Sequence, residues 1–87
     1  MVKTREAINY LKANNTYIIG GHQSRVSITI WSQDDLSVIF ALCLAGGRIL
    51  TSLSLHGEEH FVFSTDRGEL AKYRVGELKP TSNVELG

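Results

Sequence analysis

Hydrophobic and polar residues alternate with a period of two along much of this chain. The clearest case runs from Val26 to Trp31, with Val26, Ile28 and Ile30 on one side and Ser27, Thr29 and Trp31 on the other. A period of two places successive side chains on opposite faces of a strand. The same reading gives six strand candidates: Thr16–Gly20, Val26–Trp31, Leu36–Ala45, Arg48–His56, Phe61–Thr65 and Glu69–Val75. Turn chemistry punctuates them. "SQDD" and "HGEEH" separate strands, and "TDRGE" reads as a type I turn whose Gly68 supplies a bulge residue. A loop at Gly57–Glu59 would set Phe61 and Phe63 beside Leu53 and Leu55, whereas a two-residue loop would put both phenylalanines on the opposite face.

The period changes near the N-terminus. Residues 4–14, "TREAINYLKAN", read as a short amphipathic helix. Thr4 serves as its cap, Glu6 lies in the first turn, and Ala7, Ile8 and Leu11 make an apolar stripe. Asn14-Asn15 suits a left-handed stop. A helix this short is marginal alone and needs a sheet to lie on.

The most apolar stretch is "SVIFALCLAGGRILTSLSL", residues 37–55. A membrane-spanning helix needs about 18 or more apolar residues, and the run from Val38 to Ala45 stops at Gly46, Gly47 and Arg48. A buried helix would carry both glycines in its middle, at a cost of about 2 kcal/mol. A hairpin turning at Gly46-Gly47 fits better, because both turn positions tolerate positive φ. It pairs Leu44 with Ile49, Leu42 with Thr51, Phe40 with Leu53 and Val38 with Leu55.

Together these elements predict an α+β domain over residues 1–75. One short N-terminal helix packs on one face of a five- or six-stranded antiparallel meander sheet. Residues 76–87, with the one proline, read as a loose tail. No internal repeat or low-complexity tract stands out. The sheet face turned away from the helix then carries Ser27, Thr29, Trp31, Ser37, Ile39, Ala41, Cys43, Leu50, Ser52 and Ser54, none of them charged. A sheet face open to water normally carries charged side chains, so this one is expected to be covered.

Composition narrows the function classes. Eighty-seven residues make a domain near the lower limit for independent folding. Nine basic residues balance nine acidic ones and are scattered singly. A nonspecific nucleic-acid binder concentrates positive charge instead, which leaves Lys3, Arg5 and Lys12 on the helix as a weak alternative. The single cysteine, Cys43, excludes an internal disulfide and suits a reducing cytoplasm. No signal peptide or membrane span is read.

Candidate chemistry is sparse. His56 and His60 flank a turn with Glu58 and Glu59 between them, but zinc usually takes three or four protein ligands. No metal or other cofactor is expected. Asp34-Asp35 reads as turn chemistry. "GGHQSR" offers an anion-binding loop through Gly21, His22 and Arg25, yet lacks the spacing of known phosphate loops. No serine sits in a nucleophile-elbow context, so an enzyme is not expected. The reading that remains is a non-enzymatic protein–protein interaction module. A small dimeric regulator or inhibitor of bacterial, phage or mobile-element type is the expected class, and no particular residue indicates it. It would meet itself and a further protein through Trp31, Ile39, Ala41, Cys43, Leu50, Ser52 and Ser54. A small anionic ligand or nucleotide on Gly20–Arg25 is the second reading.

Overall fold

Period-two alternation becomes strand throughout, and the stretch read as a helix joins it. A computed structural model describes residues 7–22, 26–44 and 46–85, which form an all-β structure. Seven strands and a short eighth follow in order: β1 (Tyr10–Ala13), β2 (Tyr17–His22), β3 (Val26–Ser32), β4 (Val38–Leu44), β5 (Leu50–His56), β6 (His60–Thr65), β7 (Glu69–Arg74) and β8 (Ser82–Glu85). They build two antiparallel sheets, β1-β2-β3-β4 and β5-β6-β7-β8, each a meander in chain order. The expected α+β fold with a single sheet is therefore overturned on both counts.

The N-terminal helix fails for a physical reason. Thr4 and Glu6 lie outside the described residues, but Tyr10–Ala13 pairs with Ile18–Gly21 of β2. The Asn9 N–H extends that ladder to the Gly21 carbonyl at 2.9 Å. Asn14 does not stop a helix. Its side-chain oxygen accepts the Thr16 and Tyr17 N–H groups at 2.8 and 2.7 Å, turning the chain into a hairpin. A short helix gains little from its own propensity, whereas pairing satisfies the otherwise open edge of β2 and the facing groups of β1.

Gly46-Gly47 is not a hairpin turn either. Both glycines take positive φ, 103° and 70°, as their sequence suggests. They lie, however, in a crossover between the sheets: β4 pairs with β3, and β5 pairs with β6. Side chains fix the crossover to the β6–β7 turn. Arg48 ion-pairs with Glu69 at 2.7 Å, and Asp66 accepts the Ile49 N–H at 2.9 Å. The Asp66 N–H returns to the Ile49 carbonyl at 3.0 Å, and Arg67 donates to the Gly46 carbonyl. In each of these bonds one partner, Asp66, Arg67 or Glu69, is distant from the glycines in sequence.

The core fills the space between the sheets. Ile19, Val26, Ile28, Ile30 and Leu42 come from the first sheet, and Leu50, Leu53, Phe61, Phe63 and Tyr73 from the second. Phe61 stacks on Tyr73 with centroids 5.6 Å apart, and Phe40 reaches it from the first sheet at 6.2 Å. Leu53 stands opposite Phe63 and Leu55 opposite Phe61 across a turn at Gly57–Glu59, the longer of the two loops the sequence allowed. Gly21 lies where the sheets approach closely: a Cβ there would meet Leu50 Cδ2 at 2.6 Å. Tyr10 closes the seam by donating from its hydroxyl to the Leu50 carbonyl at 3.2 Å.

The two sheets repeat one plan. Their strands begin 40 to 44 residues apart (Tyr10 and Leu50, Tyr17 and His60, Val26 and Glu69, Val38 and Ser82). β1 and β2 pack against β5. The Asn14 amide donates to the Gly57 carbonyl at 3.3 Å, so the β1–β2 and β5–β6 turns share one end and β1 and β5 run the same way. The repeat escaped the sequence reading because it lies in strand spacing and not in residue identity. The segment expected as a loose tail also takes part, since Ser82–Glu85 lies along Glu69–Lys72 as an edge.

Candidate functional site

The outer face of the first sheet is built by alternation and register. Ser27 stands opposite Cys43 and Thr29 opposite Ala41, all turned from the core because their neighbours Ile28 and Leu42 turn into it. Ile39 continues the face at 46% exposed, and Leu11, paired with Gly20, adds an apolar side chain at 60%. Trp31 belongs to the same side but is only 6% exposed. Gly20 lies under its ring: a Cβ there would stand 2.8 Å from Cζ3 of the indole and 3.3 Å from Ile8. Trp31 is thus the floor of the patch and not an open anchor.

The structure divides the predicted interface set. Ile39, Ala41 and Cys43 share the face with Trp31, and all but the indole are open to solvent. Leu50 leaves it altogether, being fully buried in the core. Ser52 and Ser54 lie on the outer face of the second sheet, because β5 is paired with β6 and never with β4. That second face was missed as a unit. It carries Val62, Ser64, Leu70 and Lys72, which alternate with the buried Phe61, Phe63 and Tyr73. Its hydroxyls bond one another: Ser64 is 2.6 Å from Ser52 and 2.7 Å from Thr51. The alternation through "HFVFST" and "ELAKYR" marked these positions, but only the separation into two sheets makes them a face.

The expected ligand loop is not an open loop where it is described. Gly20 and Gly21 are ladder residues between β1 and β3, so their backbone groups serve the sheet. His22 is buried at the end of β2 with its ring Nδ1 beside the Ala7 carbonyl. Arg25 lies outside the described residues. Lys12 sits on the edge strand β1, not on a helix, and Lys3 and Arg5 lie outside the described residues.

A polar corner near the crossover holds an ion pair. Arg48 beside Glu69 holds that carboxyl below its ordinary value, and the Thr65 hydroxyl, donating at 2.9 Å, adds to the effect. Asp35 is also lowered, first by the Ser37 N–H at 3.0 Å. Both are turn and crossover supports. His56 and His60 face each other across β5 and β6. Among the described residues no three His, Cys, Asp or Glu side chains gather to hold a metal. No helix among them is long and apolar enough to cross a membrane. No family model, curated protein or solved structure matches the chain.

Proposed function

We propose that this chain is a non-enzymatic interaction module that binds another polypeptide through the outer face of its first sheet. The observation that carries this reading is the absence of charge across Leu11, Thr29, Ile39, Ala41 and Cys43, which lie on one side of the sheet. Small side chains leave it flat enough for a second sheet to approach to about 10 Å. Contiguous apolar surface of this kind is costly in water and marks interaction sites. Trp31, held beneath by Gly20, supplies a rigid floor of the residue type most enriched in binding hot spots.

Cys43 lies on this face near the end of its edge strand β4 and is the chain's single thiol, so it reports on cover there. Its alkylation rate in native cell extract is expected to fall well below the rate in urea-unfolded chain. Equal rates in the two conditions would remove the interaction reading.

A further inference from the structure

We infer that the occupant of this face is a second copy of the chain, docked through the outer face of its β5–β8 sheet, so that copies join head to tail into a closed ring. The inference rests on the interaction reading and names its partner. The chain already makes such a contact once, within itself. β5–β8 repeats β1–β4 in strand order and direction, stepped sideways with β5 against β1 and β2.

Two sheets related by a twofold bury the same places of each sheet, whereas a stepped repeat buries opposite ones. β2 and β6, equal in length, decide between them. The ladders carry their alignment to the next strands: Ile18 pairs with Trp31, which turns out, and Phe61 with Tyr73, which turns in. The second, fourth and sixth residues of β2 (Ile18, Gly20, His22) turn away from the shared core. The same places of β6 (Phe61, Phe63, Thr65) turn into it. The relation is a step. The first sheet therefore leaves open the side that the second sheet buries, and the second leaves open the side that the first buries. Repeating the step brings the β5–β8 outer face of one copy onto the β1–β4 outer face of the next. That contact is heterologous, so it closes into a ring or runs on as a filament.

The two surfaces suit each other. Ile39 on one and Leu70 on the other, 46% and 42% exposed, are large apolar groups that docking would cover. The Ser52, Thr51 and Ser64 hydroxyls already bond within their face, which lowers the cost of burying them. Lys72 and Arg74 are cations of the second face; Arg74 is paired with Glu59 at 3.3 Å, and their long stems let both charges reach solvent at the rim. Four-stranded meanders recurring every 40 to 44 residues match the blades of a β-propeller. Propellers typically hold about four to eight blades around an axis, so a ring needs about two to four copies of this two-sheet chain.

Sedimentation equilibrium of the full chain, alone and with Ala41→Glu or Leu70→Glu, tests the inference. The wild type is expected at the mass of two, three or four chains, and each variant as a folded monomer by circular dichroism. An equimolar mixture of the two variants should give a one-to-one complex, because each supplies the face the other has lost. Thr29→Arg and Ser54→Arg serve as the second pair if either glutamate variant unfolds. A wild type that is monomeric at its highest soluble concentration overturns the inference. So does association that survives Leu70→Glu but not Ala41→Glu, which would mean a twofold contact through one face. A monomer whose Cys43 is still shielded in extract defeats only the self-association; an unshielded Cys43 defeats the interaction reading as well.

Discussion

Gly20 and Gly21 are adjacent, yet they answer to different neighbours. Strand geometry turns one to the outer face beneath Trp31 and the other into the core against Leu50 and Leu53. Neither position needs the conformational freedom of glycine; each needs the missing Cβ. Ala at position 20 would press its Cβ to 2.8 Å from the indole and 3.3 Å from Ile8, and the ring is only 6% exposed. Gly20→Ala is expected to destabilise the fold by about 1–3 kcal/mol, the usual cost of overpacking. Because Trp31 is the single tryptophan, its fluorescence should shift in the folded variant. An unchanged emission maximum and an unchanged urea midpoint would show that the indole is not seated on the glycine.

At the scale of elements, the crossover after β4 is where the fold is decided. Its direction is set by Arg48, Asp66, Arg67 and Glu69, which bond the segment to the β6–β7 turn. Glu69 has its carboxyl lowered below an ordinary value of 4.5, first by Arg48 and then by Thr65. A depressed carboxylate stabilises the fold above its unfolded value and loses that contribution as pH falls through its folded value. Glu69→Gln is therefore expected to melt below the wild type at pH 7, with the gap closing as the pH is lowered past 4.5. The exposure of the pair limits the size of the effect, since solvent screens it. A gap that is the same at pH 3 and pH 7 would assign the loss to packing and not to charge.

At the scale of the whole molecule, two sheets enclose one core and leave two outer faces unequal in kind. If copies close a ring through those faces, folding and assembly are linked by mass action. The melting temperature should then rise with protein concentration in the wild type and stay constant in Ala41→Glu. A wild-type melting temperature independent of concentration would separate folding from association.

Local pattern determined much of this structure. Period-two alternation marked the β3, β6 and β7 regions, and "TDRGE" gave a turn in which Gly68 takes a positive φ of 74°. It also placed Ile39, Ala41 and Cys43 together on one uncharged face, since alternation holds whatever the neighbouring strand is. What it left open was which strand lies beside which. Gly46-Gly47 permits a hairpin and a crossover equally; ion pairs and hydrogen bonds to residues 66–69 chose the crossover and sent Leu50, Ser52 and Ser54 elsewhere. Tyr10–Ala13 carries helical and extended spacing at once, and the free edge of β2 chose the strand. Each of these choices depends on a partner distant in the chain, so it is made by tertiary contact and not by local pattern.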